Sequence, residues 1–148
     1  MITYGSSMNY PNNIQDMIND FQFLTEWEDR YMHVIDMGKS LPSLDESEKI
    51  ESNKVKGCVS QVWLISDKTN DPDPTISFRG DSDAHIVKGL VAITLRIFSD
   101  QKATEILKLN ATEILKELGL DEHLSLQRAN GLKAMIARIK DYALQALN

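Results

Sequence analysis

Apolar residues recur at helical spacing near both ends of the chain and crowd into short strand-like runs in the middle. One apolar face is spaced for a helix near the N-terminus: Ile14, Met17, Ile18, Phe21 and Leu24. Thr25 and Glu28 form a capping-box pattern, and Gly38 is a natural C-terminal glycine. A second helix is therefore predicted between Thr25 and Gly38.

Two runs in the middle of the chain are dense in strand-favouring residues. They are QVWLIS at 61–66 and TISFRG at 75–80, and the turn formers DKTNDPDPT lie between them. This pattern predicts an antiparallel hairpin, and a short strand at 53–56 is expected as a third member. The polar connection before it, KSLPSLDESEKIESN, has room for no more than a short helical turn.

Helical spacing returns after the hairpin and continues to the C-terminus. Asp83 is placed to cap a helix over residues 84–98, which is apolar on most faces and is expected deep in the core. Asn110 and Glu113 form a capping pair before a short helix that ends at Gly119. Ser125 begins the last helix, which carries an apolar seam.

These elements predict an α+β fold: a single domain in which a small antiparallel sheet of about three strands packs with helices. Residues 1–12 are small and polar and are expected to form a flexible leader. The domain is expected to cover residues 13–148.

Composition narrows the possible functions. The 148 residues are 42% hydrophobic and 26% charged, with a formal net charge of −6. An acidic chain without a basic patch is a poor partner for nucleic acid, and no apolar run reaches membrane-spanning length. Cys58 is the single cysteine, so no internal disulfide can form and a reducing cytoplasm is expected.

One thiol limits the chemistry further. Structural zinc and iron–sulfur sites usually need four protein ligands, and the three histidines here are widely separated, so no metal is expected. Transfer of a sulfane sulfur needs only one sulfur on this chain. Gly57 gives the backbone freedom to present Cys58, and Lys56 is a candidate electrostatic neighbour. The alternatives are a buried cysteine that merely packs, and a hydrolase that uses His85 or His123 as its base.

Four segments carry a resemblance to a known family. They are NKVKGCVSQVW (53–63), DFQFLTEWEDRYMHVIDMGKSLP (20–42), FRGDSDAHIVKGL (78–90) and LGLDEHLSLQRANGLKAM (118–135). In this order they resemble the SufE family of sulfur acceptors, over roughly residues 20–140. The resemblance implies a fold shared with scaffold proteins of the NifU type, whose three cysteine ligands are absent from this chain.

The resemblance also implies a function. A SufE-like protein accepts sulfur from a cysteine desulfurase of the SufS type as a persulfide, which places the persulfide on Cys58. It stimulates the desulfurase and passes the sulfur to a scaffold complex of the SufBCD type, where iron–sulfur clusters are built. It acts as a sulfurtransferase-type accessory protein and holds no cofactor of its own, because pyridoxal phosphate belongs to the desulfurase. The oligomeric state stays open.

Beside Cys58, five residues are candidates for positioning the loop or binding the partner: Gly57, Ser60, Gln61, Asp83 and Arg128. Asp83 has an alternative role as a helix cap, and Arg128 as a member of an internal ion pair. Ser60 and Gln61 have alternatives as a solvated loop residue and a polar strand position.

The chain departs from the family pattern at three places. Val59 follows the cysteine where the family has glutamine, and Leu126-Gln127 replaces Pro-Ser before the arginine. His85 stands where the family has a small or apolar residue, and no role is assigned to it. Two other functions stay open: a regulatory docking module for a desulfurase that carries no sulfur, and the cysteine hydrolase.

Overall fold

The computed structural model describes residues 10–148 of the chain. Within this range it contains six α-helices and three strands, in this order: α1 Asn12–Phe23, α2 Trp27–Lys39, β1 Val62–Lys68, β2 Thr75–Ser82, α3 His85–Phe98, β3 Gln101–Lys102, α4 Ala103–Lys108, α5 Ala111–Glu117 and α6 Leu126–Ala146. Two short 3₁₀ turns, Glu46–Glu48 and Glu51–Asn53, lie in the polar connection. The predicted leader falls mainly on residues 1–9, which lie outside the described residues. The α+β prediction is confirmed.

The sheet is built on the predicted hairpin. β1 and β2 pair antiparallel from Val62 opposite Ser82 to Lys68 opposite Ile76, and β3 adds to the other edge of β2. The predicted strand at 53–56 is wrong, because this segment makes only one bridge, between Lys54 and Trp63. The chain turns at residues 56–57, which leaves no room for a longer ladder.

The core centres on α3, as its apolar sequence predicts. Ten of its 14 residues are buried, and α3 packs against α2, β2 and α6. Val62 and Leu64 of β1 are fully buried as well. Removal of this apolar surface from water is the main favourable contribution to folding. Among residues 10–148, no helix has the length and apolar character needed to cross a membrane.

The predicted ends of α2 are both wrong. Glu26 is the N-cap residue and makes no side-chain cap hydrogen bond, so Thr25 and Glu28 form no capping box. The helix continues past Gly38 to Lys39, because Gly38 serves a contact between helices. A Cβ atom on Gly38 would lie 2.7 Å from the Gly89 nitrogen of α3. Two glycines thus let α2 and α3 approach backbone to backbone.

The caps of the last two helices are confirmed. The Asn110 side chain accepts a hydrogen bond from Glu113 N at 3.2 Å, and Gly119 ends α5 in the left-handed region with φ of +70°. The Ser125 hydroxyl accepts a hydrogen bond from Arg128 N at 3.2 Å. These local signals specify the helix ends because each partner lies within one turn.

Asp81 is a buried carboxylate that joins three segments. It accepts hydrogen bonds from Leu44 N at 3.0 Å and from Ser82 N at 2.8 Å. Lys88 Nζ lies 3.3 Å and Lys49 Nζ 3.6 Å from its oxygens. Burial by itself raises the pKa of Asp81, but the two backbone hydrogen bonds and the Lys88 charge together hold it below its usual value. The polar connection, the end of β2 and α3 therefore share one anionic centre.

The Asp81→Asn substitution is expected to lower the free energy of unfolding by roughly 1–3 kcal/mol at neutral pH, because it leaves buried partners unsatisfied. A depressed folded-state pKa contributes stability that is complete above the unfolded value, about 4, and is lost as the pH falls through the folded value. The difference in the free energy of unfolding between the variant and the parent should therefore become smaller in acid. Urea unfolding at neutral and acidic pH measures it, with the exposed Asp67→Asn as a control. Equal unfolding free energies at neutral pH would contradict the role of Asp81.

Candidate functional site

Cys58 lies in the loop that connects the polar connection to β1. Gly57, just before it, has φ of +93°, a conformation that side chains with a Cβ rarely adopt. A Cβ atom on Gly57 would also lie 3.3 Å from the Ala134 Cβ of α6. The loop therefore passes close to α6 and turns there with a backbone that favours glycine.

The half-buried Cys58 side chain lies at a cavity of about 330 Å³. Cys58, Val59 and Ser60 form the loop side of this cavity. The opposite wall comes from α3 and α6 and is mostly apolar; Ile86, Leu90, Leu132 and Met135 contribute to it. A thiol in such a cavity is shielded from part of the solvent.

The Cys58 thiol contacts the backbone of α6. Its Sγ donates a hydrogen bond to Gly131 O over 3.6 Å. Burial raises the pKa of the Cys58 thiol. Because the thiolate is the nucleophile, this retracted conformation holds the less reactive, protonated form.

Lys56 does not act on the thiol as the sequence suggested. Its ammonium pairs with the carboxylate of Glu51, and both side chains are exposed. The shift in the pKa of Cys58 comes from burial. In this conformation the thiol therefore loses its proton less readily than an exposed cysteine does.

Asp83 and Gln61 tie the end of the Cys58 loop to the end of the hairpin. Asp83 Oδ1 accepts a hydrogen bond from Gln61 N at 3.0 Å, and Asp83 N donates to Gln61 O at 3.3 Å. The cap role for Asp83 is wrong, since Ala84 is the N-cap residue of α3 and no side chain caps it. Gln61 takes part through its backbone, and its side chain is exposed. A part for both residues in loop positioning stays a prediction.

Ser60 and Arg128 line the cavity from opposite sides. Arg128 belongs to the first turn of α6 and is half-buried. No carboxylate of residues 10–148 pairs with its guanidinium, so the internal ion pair is wrong. Its charge is available to a molecule that reaches the cavity.

Two of the departures from the family pattern are exposed apolar side chains near the cavity. Val59 and Leu126 each expose 76% of their surface. Val59 lines the cavity, and Leu126 stands between the lining residues Ser125 and Gln127. Exposed apolar side chains therefore stand beside the polar Ser60 and Arg128 around the thiol.

No histidine of residues 10–148 lines the Cys58 cavity. His85 is exposed on the first turn of α3, and His123 stacks on Trp27 with ring centroids 4.3 Å apart. Neither lines the Cys58 cavity, so the base that the hydrolase alternative requires is missing there among the described residues. Over the same residues, no three His, Cys, Asp or Glu side chains are grouped to hold a metal ion.

Comparisons with known proteins identify the family. The family model of SufE, the Fe-S metabolism associated domain, matches residues 15–143. The chain belongs to the SufE family. This confirms the resemblance that the four segments predict. The family links the chain to iron–sulfur metabolism.

Similar proteins cover nearly the same length. An uncharacterised SufE-like protein from Rhizobium meliloti is 54% identical over 132 residues, which is 88% of this chain and 94% of the relative. A second, from Rhizobium etli, is 52% identical over 132 residues, 88% of this chain and 89% of the relative. A solution structure of a hypothetical protein from Thermus thermophilus shares the fold, with a TM-score of 0.73 at 17% identity over 94% of this chain and 98% of that one.

Two important residues were missed from the sequence. Gly131 contacts the thiol, and Asp81 anchors the hairpin end two residues before Asp83. A glycine inside the apolar seam of a long helix was the available signal for Gly131, because glycine weakens a helix interior. Asp81 gave no signal, because the hydrogen bond that joins it to the polar connection comes from Leu44, 37 residues away.

Alkylation tests the retracted thiol. At about pH 7, iodoacetamide should modify Cys58 at least roughly 10-fold more slowly in the folded chain than in urea, because burial limits access and raises the pKa. The difference in alkylation rate between the folded and unfolded chain should become smaller as the pH rises and the thiolate forms. Mass spectrometry of the quenched chain gives the rates. Equal rates in the folded and unfolded chain at neutral pH would contradict the retracted conformation.

Proposed function

We propose that this protein accepts sulfane sulfur from a cysteine desulfurase of the SufS type, as a persulfide on Cys58, and stimulates that desulfurase. It then passes the sulfur to a scaffold complex of the SufBCD type that assembles iron–sulfur clusters. The supporting observation is a single thiol at an apolar cavity that, among the described residues, has no histidine in its wall. The proposed compartment is the reducing cytoplasm, where a free thiol persists.

The transfer step is a thiol exchange. The Cys58 thiolate attacks the terminal sulfur of the donor's persulfide. A new sulfur–sulfur bond forms to Sγ while the bond inside the donor breaks, and the donor sulfur leaves as a thiolate. No net oxidation occurs, so the chain needs no redox partner. The chemistry that removes sulfur from free cysteine is supplied by the pyridoxal phosphate of the desulfurase.

The cavity suits a carrier of a labile group. A persulfide reacts with stray thiols, and shielding by α3 and α6 slows that loss. The same shielding suppresses the thiolate, so the resting carrier is unreactive until a partner binds. Docking supplies the differential affinity that shifts the loop to an extended conformation.

The loop has a hinge and fixed ends. Gly57 supplies the hinge, with its φ of +93°. On one side Val55 N donates to Val62 O at 2.8 Å, and on the other Gln61 is held by Asp83. Movement of the thiol therefore requires only residues 56–60 to rearrange. The guanidinium of Arg128 offers a charge for docking beside them.

Sulfur labelling tests the proposal. The chain is incubated with a cysteine desulfurase and free cysteine. The mass of the peptide that bears Cys58 is then measured by mass spectrometry. We expect the mass of one added sulfur atom on that peptide and faster cysteine turnover. The Cys58→Ser variant should lose both the added sulfur and its relay to a scaffold. If the desulfurase turns over and the native peptide stays unmodified, sulfur carriage is disproved.

The same variant separates carriage from docking. A regulatory module that carries no sulfur would stimulate the desulfurase as well with Cys58→Ser as with the native chain. A carrier would lose the part of the stimulation that depends on removing the persulfide from the donor. Unchanged stimulation together with an unmodified native peptide would favour the docking alternative.

The Gly57→Ala substitution tests the hinge. It should cost about 1–2 kcal/mol of stability, because a left-handed residue with a Cβ is strained, and it should slow sulfur transfer. Gly119→Ala is the control, since Gly119 also has a positive φ but lies outside the cavity; its Cβ would also displace the Arg30 side chain, so the stability of both variants is measured alongside. Transfer rates from a desulfurase measure the effect. The hinge is wrong if the two variants transfer sulfur equally well.

A further inference from the structure

The bare face of Gly131 is turned toward Cys58. A Cβ atom built on Gly131 would have three atoms of Cys58 as its nearest neighbours, with Sγ at 3.4 Å, Cβ at 3.8 Å and Cα at 3.9 Å. Glycine inside a helix is less stable than alanine. α6 therefore carries a residue that is unfavourable for the helix at the point that faces the thiol, a pattern expected where function outweighs local stability.

The loop and α6 meet through small groups. Gly57 faces Ala134, one helical turn beyond Gly131, and a Cβ atom on Gly57 would lie 3.3 Å from the Ala134 Cβ. This close approach brings the backbone carbonyl of Gly131 to 3.6 Å from Sγ. The contact depends on the two segments lying this near to each other.

The hydrogen bond distinguishes the chemical states of Cys58. A carbonyl oxygen is only an acceptor, so it can bind the thiol through its proton. The thiolate and the inner sulfur of a persulfide carry no proton on Sγ. A persulfide also adds a second sulfur about 2 Å from the first, which has to find space beside α6. Loss of the proton removes the hydrogen bond, and the missing side chain of Gly131 leaves space on that face of α6 for the second sulfur.

We propose that Gly131 is a positioning residue of the sulfur-transfer site: its carbonyl holds the empty thiol in the cavity, and its bare face leaves space for the second sulfur once sulfur is loaded. This inference rests on the proposed function, in which Cys58 carries the sulfur. The empty carrier is retracted and slow to react with stray electrophiles. The loaded carrier stays in the cavity but loses the Gly131 hydrogen bond, so its loop is held less firmly and a docking partner shifts it more easily.

Amide hydrogen exchange of residues 57–61, followed by NMR, tests the hydrogen bond without a partner protein. Cys58→Ser keeps a hydroxyl donor and should exchange within about twofold of the native chain. Cys58→Ala loses the donor and should exchange roughly 2- to 10-fold faster, the range that one hydrogen bond supports. Equal exchange in the two variants would overturn the proposal.

A loaded form can be made chemically. Methyl methanethiosulfonate transfers a methylthio group to the thiolate and releases methanesulfinate, which places a second sulfur on Sγ. Residues 57–61 of this form should exchange faster than those of the thiol form. Exchange as slow as in the thiol form would overturn the proposal.

Gly131→Ala tests the bare helix face. The thiol form should keep its loop exchange, because the new methyl meets Sγ at an ordinary contact distance of 3.4 Å. The methylthio form should exchange faster than the native methylthio form, because the space for the second sulfur is filled. Asn130→Ala is the matched control, since it adds helix propensity at an exposed neighbour. If the two variants behave alike in the methylthio form, Gly131 has only a structural role.

These measurements involve no desulfurase, so they stand apart from the test of the proposed function. Faster exchange on loading together with no sulfur uptake from a desulfurase would disprove the carrier function and leave the positioning role. Sulfur uptake together with unchanged exchange would support the carrier function and disprove the positioning role of Gly131.

Discussion

The site depends on a carboxylate that is buried and fully partnered. Asp81 lies at the end of β2 and draws the backbone at Leu44 and the ammonium of Lys88 to the same point. A buried charge is costly unless such partners surround it, so the three segments must adopt one arrangement for the fold to be stable. Two residues later Asp83 holds Gln61, and through it the end of the Cys58 loop. The position of the thiol thus follows from the geometry around one anion.

The other side of the site is set by close packing. Gly38 and Gly89 bring α2 against α3, while Gly57 and Gly131 bring the loop against α6. In each pair a methyl group would meet atoms of the neighbouring segment. Interiors packed this tightly have few alternative arrangements, so we expect the helices of the cavity wall to move less than the loop does.

Much of the architecture could be predicted from local patterns. The hairpin, the core helix α3 and the caps at Asn110 and Ser125 depend on residues close in sequence, and all were confirmed. Two of the errors came where a residue that was predicted to have a local role has a more distant partner. Gly38 contacts α3 in place of ending a helix, and Asp83 binds Gln61 in place of capping one.

For the candidate site, too, local patterns predict one part and miss the rest. Counting cysteines is enough to single out Cys58, and the segment around it is enough to suggest the family. The cavity, the Gly131 contact and the place of Arg128 in the cavity wall are properties of α3, α6 and the loop together. They depend on how segments that are distant in sequence meet, as the separation of 73 residues between Cys58 and Gly131 illustrates. No local sequence pattern encodes these contacts between distant segments.

The two anchors of the Cys58 loop limit how far sulfur can travel. Val55 is fixed to Val62 and Gln61 to Asp83, so the mobile stretch between them is short. Fully extended, six residue steps span roughly 20 Å, and a tether held at both ends reaches about half of that. The cargo therefore moves across no more than roughly 1 nm. Donor and recipient must each bring their reacting atom to the surface of this small protein, because it cannot carry sulfur across a gap on a long arm.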